Sequence, residues 1–277
     1  MFNFTEQFEK LSQSKSPFCL GVDPSSEILN AWQLPDTAEG LSKFCESLLT
    51  TLEKKISLLK PQIAFFERFG GDGWFVLKDF IEKAHKNNIL ILLDAKRGDI
   101  GSTSKAYADG LLGPNSYLKA DALTVNPYLG FGSLSPFLDQ SKKDGTGIFV
   151  VVASSNPDGI KLQQAQLKDG RTIMQHLLDE INLYNQNNLA QPLIGAVIGA
   201  TRRDLQVNDL SKLGNALVLC PGIGAQGASI KDLETWPNRK RLIPIASRSL
   251  LVKGPTEKFK EDLDLMINQS KKLWQKD

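Results

Sequence analysis

The chain has 277 residues, 41% of them hydrophobic and 23% charged, which fits one larger globular domain with a sizeable core. Its formal net charge is +2, with Lys and Arg scattered rather than striped, so it lacks the electrostatic footprint of a nucleic-acid binder and must recognise any anion locally. No apolar run approaches the roughly 18 residues of a membrane span, and the N-terminal MFNFTEQFEK lacks a basic segment followed by an apolar one; the expectation is a soluble, cytoplasmic protein with no membrane partner.

In chain order, aliphatic or β-branched runs recur at residues 18–22, 58–66, 89–93, 122–125, 148–153, 194–198, 216–219 and 242–246, which predicts eight strands. Helical spacing of apolar residues lies between them at 41–59, 74–86, 173–189 and 205–213, and again at 259–273. The Gly- and Gln-rich stretches 70–73, 163–170 and 185–191 read as loops, too short to divide domains. Such alternation predicts an α/β fold, a single (β/α)8 barrel over residues 1–277, close to the typical size of about 250 residues. Cys19, Cys45 and Cys220 are odd in number, far apart and flanked by apolar residues, the pattern of reduced core thiols rather than disulfides.

In such a barrel the C-terminal strand ends form the functional face. Polar groups follow the aliphatic runs as that rule requires: Asp23 after the first, Lys60 in the second, DAKRGD after the third, SSNP after the fifth, PGIGAQG after the seventh and SRS after the eighth. In DAKRGDIGST, Asp94, Lys96 and Asp99 emerge where a doubly buried strand ends, and period-two alternation puts Asp94 and Lys96 on one side. Charges there are costly unless paired. Lys60, Asp94, Lys96 and Asp99 therefore read as an alternating network that keeps its members ionised, with Lys96 a poised proton donor rather than a nucleophile. Structural ion pairs at the rim are the alternative, disfavoured by four such residues on two adjacent strands.

The loops after strands seven and eight are the usual phosphate site of this architecture. Gly222, Gly224 and Gly227 let the backbone approach an oxyanion, and Ser247-Arg248 adds a permanent cation. GIGAQG also satisfies a dinucleotide fingerprint, but it follows the seventh strand and Ser247 stands where a ribose-binding acid is expected. His85 and His176 fall on predicted helices away from the rim and are expected to be solvated, and no metal site stands out. Ser155 has no neighbouring His to activate it, which leaves ligand hydrogen bonding or turn formation with Asn156-Pro157.

With GVDPS, KPQIAFFE, LLDAKRGDIGSTSKAYA, TVNPYLG, VASSNP, PGIGAQG and SRSLL in this order, the chain resembles the orotidine 5′-phosphate decarboxylases, in the branch whose motif reads Asp-Ala-Lys-Arg-Gly-Asp-Ile. That resemblance implies decarboxylation of orotidine 5′-phosphate to uridylate in pyrimidine biosynthesis, with neither metal nor organic cofactor. It implies that Lys96 protonates the C6 carbanion, that Asp94 lies beside the departing carboxylate, and that Lys60 and Asp23 bind ribose hydroxyls. Ser155 and Gln226 would contact the pyrimidine, Gln226 also bridging to the phosphate held by Gly224, Gly227, Ser247 and Arg248. Asp99 and Thr103 would reach into a partner's site across a homodimer. Ser247 departs from the Gly usual before the phosphate-binding Arg, yet keeps a backbone N–H. Two rivals remain: a metal-dependent sugar-phosphate aldolase or decarboxylase of the same superfamily, similar in its Asp-x-Lys-x-x-Asp motif, and a non-catalytic nucleotide-phosphate binding protein.

Overall fold

The computed structural model describes residues 2–52, 55–188 and 192–275. Eight parallel strands close into one barrel in sequence order: β1 (Cys19–Val22), β2 (Leu58–Pro61), β3 (Leu90–Arg97), β4 (Ala122–Val125), β5 (Gly147–Ala153), β6 (Ile194–Ile198), β7 (Val218–Cys220) and β8 (Leu242–Ala246). Closure is made by β1 against β8, with Cys19 opposite Ile245 and Leu20 opposite Ala246. All residues of β1, β2, β4, β6, β7 and β8 are buried, as expected where side chains fill the barrel inside and helices cover it outside.

The helices bury apolar stripes on this cylinder. Helix Ala38–Leu52 turns Leu41, Phe44, Cys45, Leu48, Leu49 and Leu52 inward, an i, i+3, i+4 pattern. An unforeseen helix, Phe4–Ser14, is started by Asn3, whose side chain accepts the Glu6 N–H at 3.1 Å. Its Phe4 ring meets Phe149 edge-on at 5.8 Å and Phe8 meets Trp274 at 5.9 Å, so this helix closes the barrel floor opposite the functional rim. The core therefore runs unbroken from floor to rim.

Several boundaries differ from the sequence expectation. The run 58–66 is a strand only to Pro61; residues Ala64–Glu67 are one helical turn, so the second half of that apolar stretch caps the strand instead of extending it. Conversely, β3 runs past the aliphatics to Arg97 because its charges are neutralised by neighbours. Residues 70–73, expected to be loop, start helix Gly70–Lys86, with Gly70 at φ +60° as its entry hinge. Helix 173–189 is present as Ile173–Asn188, so 185–188 are helical rather than loop, while Leu189, Ala190 and Gln191 lie outside the described residues. The expected helix 41–59 ends at Leu52; Glu53 and Lys54 lie outside the described residues. All three cysteines are buried free thiols whose burial pushes their ionisation far up. No helix among the described residues is long and apolar enough to cross a membrane.

Candidate active site

The rim of β1, β2 and β3 carries Asp23, Lys60 and Asp94, and the β4 rim adds Thr124. Asp94 is the hub. Its Oδ2 accepts Lys60 Nζ at 2.5 Å and Gln62 Nε2 at 3.2 Å, and its Oδ1 accepts Lys96 Nζ at 2.5 Å and Thr124 Oγ1 at 2.9 Å. Burial opposes ionisation of this carboxyl, but the Lys60 and Lys96 ammonium groups overcome it and hold Asp94 far below the usual carboxylate range. Burial also favours neutral Lys60, and the charges of Asp94 and Asp23 reverse that and raise it. The result is a desolvated carboxylate with two cations on it, one of them buried and one, Lys96, with its side chain 47% exposed and facing the cavity.

Lys96 reaches this position by a distortion. Its φ is +46°, left-handed for a residue with a Cβ, and the β3–β4 register shifts between Leu93 and Arg97. A bulge, not plain alternation, thus sets the direction of the ammonium, and the Lys96 N–H is held by Thr124 Oγ1 at 3.0 Å. Strained backbone that its surroundings enforce is a recurrent property of reacting centres, at a cost of about 1–3 kcal/mol.

Asp23, Lys60, Asp94, Lys96, Ser155, Gln226, Ser247 and Arg248 all line one cavity of about 240 Å³. Of the residues lining it, Asp23 keeps one buried carboxylate oxygen, Oδ1, and Ser247 a buried Oγ, each without a partner. Such atoms mark places where a ligand is expected to supply the missing bond. At the far end Gly222, Gly224 and Gly227 all have positive φ, between +79° and +104°, and a Cβ on Gly222 would sit 2.7 Å from Gln226 Oε1. The glycines shape the turn rather than presenting donors: Gly224 N–H is used by the Ala228 carbonyl at 2.9 Å and Gly227 N–H by the Gly224 carbonyl at 3.0 Å. Neither Gly224 nor Gly227, both expected at the phosphate, lines the cavity of this chain.

Asp99 and Thr103 are not brought to this cavity. Asp99 Oδ1 accepts the Ile100 N–H at 2.8 Å, and Thr103 lies exposed on helix Gly101–Leu111. The four-membered charge network is therefore three-membered within one chain. Gln62, Thr124 and Ser154 were missed from the sequence. Thr124 had a readable signal, a hydroxyl one residue before the end of an aliphatic strand; Gln62 and Ser154 had only their adjacency to Lys60 and Ser155. The histidines also differ from expectation, both being half-buried. His85 Nε2 lies 2.8 Å from Asp121 Oδ2, and His176 Nδ1 is buried without a hydrogen-bond partner. Among the described residues, no three His, Cys, Asp or Glu side chains are grouped to hold a metal ion.

A closed barrel with an ionised Lys-Asp-Lys chain at one end of its mouth and an arginine at the other defines a class: a (β/α)8 enzyme acting on a small anionic molecule. The chain belongs to the orotidine 5′-phosphate decarboxylase / HUMPS family, whose model matches residues 16–259. It is 44% identical over 256 residues to an orotidine 5′-phosphate decarboxylase of Myxococcus xanthus, spanning 91% of this chain and 89% of that protein. A protein of the same name from Streptomyces coelicolor is 40% identical over 254 residues, 91% of each chain. Among solved structures, one from Streptomyces avermitilis, provisionally assigned as an orotidine 5′-phosphate decarboxylase, superposes with a TM-score of 0.92 at 37% identity, covering 99% of this chain and 96% of that one. The Leishmania donovani OMP decarboxylase gives 0.80 at 25% identity, covering 99% of both chains.

Proposed function

We propose that this enzyme is a carboxy-lyase that converts orotidine 5′-phosphate (orotidylate) to uridylate and CO2, with Lys96 as the proton donor. The observation that carries the reading is the Lys60–Asp94–Lys96 chain in one cavity with Arg248. Breaking the C6–carboxylate bond leaves its electron pair on C6, a vinylic carbanion that no neighbouring group delocalises. A fixed ammonium at that carbon stabilises the developing charge and then transfers its proton to C6; the resulting amine regains a proton from water. In this reading Asp94 orients both lysines and keeps Lys60 charged, while Asp23 and Lys60 bind the ribose hydroxyls. Ser155 and Gln226 contact the pyrimidine in this reading, and Ser247 and Arg248 the phosphate; all four line the one cavity. Binding energy at the phosphate end organises the site around C6 and so contributes to rate.

The relatives' names favour this reading over the metal-dependent aldolase, and the complete lysine–aspartate chain favours it over a non-catalytic binding protein. The working unit is a homodimer in the cytoplasm, in which Asp99 and Thr103 serve the partner's site. In support, Thr103 lies one helical turn from Tyr107, and Tyr107 lines an apolar groove with Trp74, Phe75 and Tyr117. Phe75 is 67% exposed in the single chain, an exposed apolar patch of the kind that marks an interface. The direct test is the ultraviolet absorbance of orotidylate mixed with purified protein in excess EDTA. Conversion to uridylate is expected, whereas activity that vanishes with EDTA and returns with magnesium would favour the aldolase-like rival.

A further inference from the structure

The end of β6 carried no functional residue in the sequence reading, yet it holds a buried guanidinium. The Arg202 side chain is 2% exposed and does not line the substrate cavity. Its Nε and Nη2 each donate to Asp204 at 2.7 Å, a bidentate pair that offsets burial of the cation. Nη1 then reaches away from Asp204 to Gln163 Oε1 and, at 3.4 Å, to the Ser154 carbonyl. Gln163 Nε2 returns to Ser154 Oγ at 2.8 Å, and Gln164 Nε2 holds Asp204 Oδ2 at 2.6 Å.

The same short segment grips the neighbouring turn residue by residue. Gly199 N–H donates to the Ala153 carbonyl at 2.7 Å, Arg202 to that of Ser154, and Thr201 Oγ1 to that of Ser155 at 3.3 Å. Consecutive carbonyls of the β5 exit are thus held by the β6 exit. Gly199 permits the approach, since a Cβ there would lie 2.7 Å from Ser155 Cα. On its other side the segment is tied to the phosphate loop by Ala200 N–H to the Pro221 carbonyl at 2.8 Å, and a Cβ on Gly222 would meet Thr201 Cγ2 at 3.3 Å.

We propose that Arg202 is a positioning residue: it fixes Ser154-Ser155 and the following helix Asp158–Gln163 against the β6 exit, so that the pyrimidine end of the cavity is formed before substrate arrives. The assignment of that end to the pyrimidine rests on the orotidylate reading. Arg202 touches no substrate; it acts through the Ser154 carbonyl and Gln163. Its loss therefore selectively weakens ligands that reach Ser155, leaving the Arg248 end intact.

The experiment compares competitive inhibition by uridylate, which spans both ends, and by ribose 5-phosphate, which occupies only the phosphate end. Arg202→Ala is expected to weaken uridylate about tenfold or more while ribose 5-phosphate changes less than about twofold. Thr201→Val, which removes one hydrogen bond and no charge, should show the same selectivity at about threefold, and it supplies the test where Arg202→Ala does not fold. Arg202→Lys keeps the charge without the fork and should not restore wild-type uridylate affinity. Equal weakening of both inhibitors, or no change in either, would overturn the proposal. Hydrogen exchange of the ligand-free proteins separates this from the substrate assignment. Faster exchange over residues 154–163 in the variants, with the barrel strands unchanged, supports positioning even if wild-type protein does not turn over orotidylate. Unchanged protection there contradicts it.

Discussion

Thr124 shows how much a single side chain contributes to this site. Its hydroxyl donates to Asp94 Oδ1 and accepts the N–H of the strained Lys96, so it connects the hub carboxylate to the backbone that aims the ammonium. Thr124→Val leaves the Lys96 N–H unmatched and Asp94 Oδ1 with Lys96 Nζ alone, which costs about 1–3 kcal/mol; denaturant unfolding should show that loss, together with a fall in kcat larger than any change in KM. Removing the hub itself is harsher. Asp94→Asn strands the buried Lys60 ammonium, and breaking a buried pair in this way destabilises by about 3–5 kcal/mol, readable as a lower unfolding midpoint. The pH dependence has a definite sign. Because Asp94 is depressed in the folded state, its stabilising contribution is complete above the ordinary Asp value of about 3.9 and is lost only as pH falls towards its depressed value. Between pH 5 and 8 the kcat/KM profile should therefore contain no limb from Asp94; an acid limb that disappears in Asp94→Asn would contradict the charge assignment.

At the scale of elements, the sequence was informative wherever burial is two-sided. Eight aliphatic runs were enough to count the strands, because a strand covered on both faces has no polar alternation to obscure it. The rim residues were legible for the same reason: a charge at the end of such a run has few bland explanations. What could not be read depended on contacts from elsewhere. Phe65 and Phe66 extend an apolar run, but they form a helical turn since the chain must leave the rim after Pro61. Nothing in MFNFTEQFEK announces a barrel plug, since Phe4 and Phe8 acquire their role only from Phe149 and Trp274. The role of Arg202 was invisible because, beyond its local pair with Asp204, the partners of its Nη1 lie 39 and 48 positions away. One pH-sensitive tie also joins elements. Asp121 Oδ2 accepts both the Ile91 N–H, at 2.7 Å, and His85 Nε2, linking helix Gly70–Lys86 to β3. Burial would lower His85, with Lys119 acting in the same direction, but Asp121, aided by Glu82, raises it overall. A raised histidine stabilises below the ordinary value of about 6.5 and loses that contribution as pH rises through its folded value. Wild-type Tm minus His85→Gln Tm should therefore be larger at pH 6 than at pH 9; a difference independent of pH would refute the charged pairing.

For the whole molecule, Asp99 and Thr103 do not line the cavity of their own chain. The proposed homodimer, in which they are exchanged, would account for both their placement and the exposed groove around Phe75 and Tyr107. Phe75→Glu puts a charge on that face, so light scattering should find the wild-type protein at twice the chain mass and the variant at one, with kcat/KM falling as the chains separate. A wild-type monomer that is fully active would remove the partner's Asp99 and Thr103 from the mechanism.

The most direct measurement is single-turnover decarboxylation of orotidylate by Lys96→Ala beside the wild type, in excess EDTA, with uridylate binding followed on the same preparations. With Lys96 as the proton donor, the wild type converts substrate without metal, and the variant still binds uridylate but reacts about 100-fold or more slowly. A variant that binds uridylate and decarboxylates at the wild-type rate would contradict the role given to Lys96.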